Sequence, residues 1–270
     1  MNTKRILTMQ DLSCVGQCSL TVALPVLSAY GIETAVLPTA ILSNHTMFKS
    51  WSYLDLTPEI PNIFREWKKS GFKFDGFLLG YLGKKELMDI AEQCFDNFAA
   101  EDGKVIIDPV FGDNGKLYGG FDTEYVKAMA KLLKRADIIL PNMTEASFLT
   151  GLKYREVYDR EYVEDMVKAL TEITDGTIII TGIELYGKIG EVIYDGGRFE
   201  YALLDKLPAK FHGTGDIFSS VFTAQHMGGK SLAESCFAAG RFVADCIANT
   251  DKESHFYGVN FEAILNKNRQ

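Results

Sequence analysis

Four short runs rich in apolar residues, Phe74–Leu79, Lys104–Ile107, Ala136–Leu140 and Thr177–Thr181, recur along the chain with segments of helical spacing between them. This alternation restricts the fold more than any other feature. Strands that are apolar on both faces need cover on both, and strands joined through helices run parallel. The pattern therefore predicts a mostly parallel α/β sheet between two layers of helices. Upstream, Ile6–Met9 and Ile32–Leu37 read as strands around a helix at 18–30, where Leu20, Ala23, Leu24 and Leu27 share a face. Thr57-Pro58-Glu59 offers a hydroxyl cap, a preset φ and an early carboxylate, the signature of a helix start. After residue 185 the rhythm changes. Ile189–Tyr194 and Arg198–Leu203 flank Asp195-Gly196-Gly197, which predicts an antiparallel hairpin at one sheet edge. Residues 213–227, 230–249 and 260–267 read as helices. No Pro-, Ser- or Gly-rich linker or repeat divides the chain, so a single domain spanning 1–270 is expected.

Between residues 6 and 48 the only formal charges are Asp11 and Glu33. Residues 12–32 are uncharged throughout, long enough to raise the question of a membrane span. Ser13, Gln17, Ser19, Thr21, Pro25 and Ser28 interrupt it, and the apolar run behind Lys4 and Arg5 stops at Met9, too short for a secretory signal. A buried segment of a soluble, cytoplasmic protein is the expectation, with no membrane partner. The net charge of -8 argues against nucleic acid as a partner, because like charge repels. It leaves room for a small anionic ligand held by backbone N–H groups. Five cysteines are too few, and odd in number, for a disulfide scaffold. Cys14 and Cys18 begin an iron–sulfur-like triplet whose third place holds Thr21, and the four histidines show no paired metal spacing. Gly229-Lys230-Ser231 copies the end of a P-loop, but Ala224 stands where its first glycine belongs.

Ligands of such sheets bind beyond the carboxyl ends of the strands, so the loops there carry the chemistry. His212-Gly213-Thr214-Gly215-Asp216 opens a helix, and its glycines can present N–H groups to an anion. Asp216 is either a dipole-favoured surface carboxylate or a general base beside a phosphate cradle. Asp108 and Asp113 lie in the glycine-rich loop after Lys104–Ile107 and can face one site, holding Mg²⁺ through water; alternatively Asp113-Asn114-Gly115 is only a turn. Asn142 with Glu145 three residues on forms a capping box, a structural role that competes with a metal- or phosphate-facing one for Glu145. In Ser43-Asn44-His45-Thr46 a lone histidine is more often hydrogen-bonded structure than catalyst.

Together these segments resemble the vitamin B6 (pyridoxal/pyridoxamine) kinases of the ribokinase-like superfamily. The resemblance runs from Ile6-Leu7-Thr8-Met9-Gln10 through Ser43-Asn44-His45-Thr46, Gly80-Tyr81-Leu82-Gly83, Asp108-Pro109-Val110 with Gly112-Asp113, and Pro141-Asn142 with Glu145, to Gly213-Thr214-Gly215-Asp216. It implies a three-layer sandwich and phosphorylation of the 5′-hydroxymethyl of a B6 vitamer by Mg-ATP, in a homodimer, often with a monovalent cation such as K⁺. Asp216 would be the catalytic base, with Gly213, Thr214 and Gly215 as the anion hole. Asp108, Asp113 and Glu145 would serve the Mg²⁺ and ATP phosphates with support from Asn142, and Thr181 and Gly182 would contact the nucleotide. Asp11, Ser43, Thr46 and Tyr118 match the substrate side. At Asp11 the family usually has Ser, so a carboxylate here suits a protonated ring nitrogen or amine. Leu140 stands where the family usually has Thr, and has no oxygen to offer a monovalent cation. The thiamine-pathway hydroxymethylpyrimidine kinases share fold and motifs but usually carry Cys at the catalytic position, where this chain has Asp216. A non-catalytic B6-binding relative is the reading from another class.

Overall fold

The computed structural model describes residues 3–207, 211–251 and 253–267. In chain order its strands are β1 (Arg5–Ser13), β2 (Glu33–Leu42), β3 (Tyr53–Asp55), β4 (Phe74–Leu79), β5 (Ala99–Ile107), β6 (Gly112–Asp113), β7 (Lys116–Leu117), β8 (Ile138–Ile139), β9 (Thr177–Leu185), β10 (Lys188–Asp195) and β11 (Arg198–Asp205). The helices are α1 (Leu20–Ala29), α2 (Ile60–Ser70), α3 (Glu86–Phe98), α4 (Thr123–Leu133), α5 (Met143–Thr150), α6 (Arg160–Leu170), α7 (Thr214–Met227), α8 (Leu232–Ala248) and α9 (Glu262–Lys267). One sheet runs in the order β11-β10-β9-β8-β5-β4-β1-β2-β3, and β6 with β7 form a separate ribbon. Neighbours from β9 to β2 are parallel; β10, β11 and β3 are antiparallel to theirs.

Side-chain alternation divides the core into two. Phe77 and Leu79 of β4 pack with Phe64, Leu87, Tyr125 and Met166 from α2, α3, α4 and α6. Leu78 turns to the other face and joins Ile6, Ile106 and Ile138 against Val22, Phe222 and Phe242 of α1, α7 and α8. Because each strand alternates with a period of two, one apolar run feeds both layers, and the expected three-layer sandwich results. Among the described residues no helix is long and apolar enough to cross a membrane.

The differences from the expected elements have local causes. The predicted hairpin forms, but β3 adds an antiparallel strand at the opposite edge too. It has three residues and leaves Tyr53 and Leu54 exposed, so no hydrophobic period announces it. The Ala136–Leu140 run shrinks to Ile138–Ile139, prolonged by a bridge between Asn142 and Thr181. Thr57 does not cap a helix: its N–H and Oγ1 donate to Asp55 Oδ1 at 2.9 and 2.6 Å, and Thr57–Glu59 make a 3₁₀ turn leading into α2.

Glu191 of β10 is a cost within this fold. It lies where the β9 register slips between Gly190 and Val192 and is 5% exposed, and its Oε2 has no hydrogen-bond partner. Burial raises its pKa well above the ordinary value near 4.5. An unfolded chain releases this proton as pH rises past about 4.5 while the folded chain keeps it, so stability falls with pH by about 1.4 kcal/mol per unit until the folded pKa is reached. Glu191→Gln is expected to flatten that slope. The Tm difference between variant and wild type should grow from pH 5 to pH 8; a constant difference would contradict the assignment.

Candidate active site

The strand order reverses at β1, whose neighbours are β2 on one side and β4 on the other. Loops beyond the carboxyl ends of such a pair border a crevice suited to ligands. β1 supplies Gln10, Asp11 and Ser13, and its pairing with β2 slips between Gln10 and Leu12. Asp11 is 6% exposed, and Ser13 Oγ donates to its Oδ2 at 3.4 Å. Among the described residues no ion pair reaches Asp11. Burial pushes its pKa up, and hydrogen bonding, the Ser13 hydroxyl included, counters this in part. Gly80 follows β4 closely enough that a Cβ there would sit 2.6 Å from Gln10 Oε1.

The first turn of α7 enters the crevice from the helical layer. Gly213, its N-cap, has φ 77°, and a Cβ there would lie 2.1 Å from the Gln17 carbonyl oxygen, so only glycine lets the two loops touch. The N–H groups of a first helical turn have no partner inside the helix, and among the described residues those of Thr214 and Gly215 donate to no other group, which suits an anion. Gly215 borders Asp108: a Cβ on it would stand 4.0 Å from Asp108 Oδ2. Asp216 accepts a 3.0 Å hydrogen bond from the Ser19 N–H at Oδ2. Desolvation raises Asp216 to a pKa of about 6, opposed by that N–H and reinforced by the charge of Asp11.

The loop after β5 is fastened to α5. Phe111 N–H donates to Glu145 Oε1 at 2.9 Å, and Asn142 N–H donates to Glu145 Oε2 at 2.9 Å. The Asn142 side chain caps α5 by accepting from Thr144 and Glu145 N–H, and its Nδ2 donates to the Gly112 carbonyl at 2.9 Å. The capping box therefore exists and also clamps the loop that carries Asp108. Asp108 and Glu145 are both buried, and burial together with their mutual repulsion holds the Asp108 pKa well up. Asp113 is exposed and accepts from the Asn114 N–H and Nδ2 at 2.7 and 2.8 Å, as a turn residue does. Tyr118, 41% exposed, has its phenol pKa raised by burial and by the charges of Glu145, Asp113, Asp108 and Asp216. Thr181 N–H donates to the Pro141 carbonyl at 2.9 Å, and Gly182, φ 66°, faces open space.

Among the described residues no three His, Cys, Asp or Glu side chains converge as a direct metal-ligand group. Asp108, Asp113 and Glu145 accordingly do not make a three-carboxylate cage. Glu145 spends both oxygens on backbone N–H groups, and Asp108 is the carboxylate beside the α7 cradle. Burial and the nearby Glu145 make the ionised Asp108 costly without a cation, and a carboxylate of this kind would suit a hydrated Mg²⁺.

On the opposite wall, Ser43 Oγ donates to Asn44 Oδ1 at 2.7 Å and accepts from Ser52 N–H at 2.9 Å, so it shapes its own loop. Thr46 is exposed. The His45 N–H donates to the Val15 carbonyl at 2.7 Å, and its ring lies 6.2 Å from that of His212, beside the anion cradle. Burial, then the His212 charge, lower the His45 pKa.

The phosphomethylpyrimidine kinase family matches residues 26–259. The chain belongs to this family. Among solved structures, a Bacteroides thetaiotaomicron protein provisionally named a phosphomethylpyrimidine kinase, in an orthorhombic form with pyridoxal, has a TM-score of 0.93 at 36% identity. It covers 100% of this chain and 96% of that one. Pyridoxal kinase from Lactobacillus plantarum has a TM-score of 0.90 at 33% identity, covering 98% and 96%. The hydroxymethylpyrimidine/phosphomethylpyrimidine kinase of Aquifex aeolicus (strain VF5) is 24% identical over 237 residues, 85% of this chain and 89% of that one. The ribokinase-like fold expected from the motifs is thus shown, and the molecule is a kinase of the pyridoxal kinase and hydroxymethylpyrimidine kinase group.

Two features beside this candidate site leave no mark in the sequence. Ser19 acts on Asp216 through a backbone N–H, which leaves no residue-type signal. His212 stands in the cradle motif, and its ring neighbour His45 lies far away in sequence. The absence of charge from 12 to 32 marked the Ser19 region as buried but gave no position within it.

Proposed function

We propose that this kinase uses ATP to phosphorylate the 5′-hydroxymethyl group of a B6 vitamer, with Asp216 as general base, the chain acting as one domain in a cytoplasmic homodimer. The observation that supports this most is the meeting of Asp216, the α7 cradle and the buried Asp11 in one crevice. With a pKa of about 6, Asp216 is mostly ionised at pH 7.5 and yet basic enough to accept a proton. It takes the hydroxyl proton as the substrate oxygen attacks the γ-phosphorus in line. The bond from that phosphorus to the β–γ bridging oxygen breaks, and ADP leaves. N–H groups of Gly213, Thr214 and Gly215 stabilise charge on the transferred group without reorganising. Asp108 would hold Mg²⁺ through water, with Asp113 and Glu145 as outer contributors and Asn142 fixing the loop. Bound there, the metal would neutralise charge on the phosphate oxygens. Thr181 and Gly182 would contact the nucleotide. Asp11, Thr46 and Tyr118 would face the vitamer and Ser43 would shape its loop, while Leu140 offers no side-chain oxygen to a K⁺.

A second reading, a hydroxymethylpyrimidine kinase, is favoured by the family name and the Aquifex relative. A coupled ADP-release assay with Mg-ATP decides between them, using pyridoxal, pyridoxamine, pyridoxine, hydroxymethylpyrimidine and ribose side by side. The vitamers are expected to exceed the pyrimidine in kcat/KM by at least tenfold, roughly 1.4 kcal/mol in transition-state binding. Turnover confined to the pyrimidine overturns the assignment.

A further inference from the structure

Residues 253–261, between α8 and α9, reach back to the wall of the crevice that carries Ser43 and Thr46. Val259 and Phe261 anchor this segment in the core, and the Asn260 N–H donates to Thr250 Oγ1 at 2.9 Å. From that anchor the rings of Phe256 and Tyr257 meet Phe48. Phe48 and Tyr257 stack with centroids 5.4 Å apart and planes at 29°, and Phe256 meets Phe48 edge to face at 5.0 Å and 62°. The loop they hold, residues 43–50, bonds largely to itself. Asn44 Nδ2 donates to the Ser50 carbonyl at 2.9 Å, Met47 N–H to His45 Nδ1 at 3.0 Å and Phe48 N–H to the His45 carbonyl at 3.1 Å. A cleft bordered by Asn44, Met47, Lys49 and Phe256 runs beside it, so on that side the loop faces open space.

Neither Phe48 nor Tyr257 belongs to the groups that would hold ATP or move the proton, yet Phe48 stands two residues from Thr46 on one short loop. Stacked and edge-to-face ring pairs stabilise an arrangement beyond the area they bury. We infer that Phe48 and Tyr257 are positioning residues, an aromatic clasp that holds loop 43–50 in the arrangement receiving the alcohol substrate. This rests on the kinase reading above, in which Thr46 faces that substrate. A loop that is closed only part of the time lowers the apparent affinity by the fraction closed. Saturating substrate restores the closed arrangement, so the cost falls on KM and not on kcat. The His45 N–H bond to the Val15 carbonyl does not involve the clasp and keeps the end of the loop nearest His212 in place.

Phe48→Ala and Tyr257→Ala are each expected to raise KM for the alcohol substrate about tenfold, as a fall of the closed arrangement to about a tenth of the molecules requires. KM for ATP and kcat should stay within about twofold. Tyr257→Phe keeps the ring and should keep the wild-type KM. The double alanine variant should match Phe48→Ala instead of multiplying the two losses, because both substitutions remove one contact. Amide hydrogen exchange of residues 44–50 should quicken in Tyr257→Ala and return to the wild-type rate in Tyr257→Phe. Wild-type KM in Phe48→Ala would overturn the inference, as would multiplied losses or unchanged exchange. Equal losses in kcat and in KM for both substrates, the mark of a merely structural role, would do the same. The comparison is made on whichever of the five alcohols the wild-type protein phosphorylates, so a change of substrate assignment does not touch it. Absence of wild-type turnover on all five removes the kinase reading and this role with it.

Discussion

Asp216→Asn should lower kcat by about a thousandfold while making the protein more heat-stable at pH 7.5. Both effects come from one feature, a carboxylate desolvated at the mouth of α7. Burial raises its pKa from 3.8 to about 6 against the pull of the Ser19 N–H. An acid whose folded pKa is raised binds a proton more tightly folded than unfolded. Stability therefore falls as pH climbs from about 4 to about 6 and stays lower above that, by an amount on the order of 3 kcal/mol. Asparagine keeps an oxygen for the Ser19 N–H and carries no charge, so it escapes this cost. The Tm gain should be present at pH 7.5 and vanish toward pH 4. For the wild-type protein the same shift puts an acid limb near pH 6 in kcat/KM, activity rising with pH as the base ionises. An inactive variant that is also less stable would point to misfolding instead, and an active one would remove Asp216 from its role.

The fold was legible where local pattern and tertiary demand agree. Phe74–Leu79 is apolar at every place but Asp75 and Gly76, and it became β4 with the predicted ends because both of its faces are buried in helices. The capping box at Asn142 and Glu145 was equally readable, since its partners stand three residues apart. What the pattern could not supply was the outcome of contacts between distant segments. Two carboxylates five apart in one loop, Asp108 and Asp113, turned out to have opposite surroundings, one beside Gly215 and the other closing a turn on Asn114. Spacing alone carries no information on which side of a two-residue ribbon a side chain leaves. The bond from Ser19 to Asp216 spans 197 residues and uses a main-chain donor, so composition, period and motif are all silent about it. β3 was missed for a related reason: a three-residue edge strand takes its stability from β2 and needs no hydrophobic period of its own.

Asp11→Ser should change which vitamer is preferred more than it changes overall catalysis. The Asp11 carboxyl lies 6% exposed at the end of β1, within electrostatic reach of Asp216, with the Ser13 hydroxyl donating to it at 3.4 Å. Two nearby carboxylates without a basic neighbour repel each other, and a cationic group placed between them relieves that repulsion. Pyridoxamine carries an aminomethyl group that is protonated at neutral pH, whereas the corresponding group of pyridoxal is an uncharged aldehyde. A charge-assisted hydrogen bond to a desolvated carboxylate is worth about 1.5–3 kcal/mol, which corresponds to roughly ten- to a hundredfold in kcat/KM. Serine can still donate or accept at that place but cannot supply the charge. The ratio of kcat/KM for pyridoxamine over pyridoxal is therefore expected to fall by at least tenfold in Asp11→Ser, with kcat for pyridoxal nearly retained. An unchanged ratio would mean that Asp11 does not meet the aminomethyl group. In that event its burial would be read through Asp216 alone, as a neighbouring charge that keeps the base from losing too much of its proton affinity.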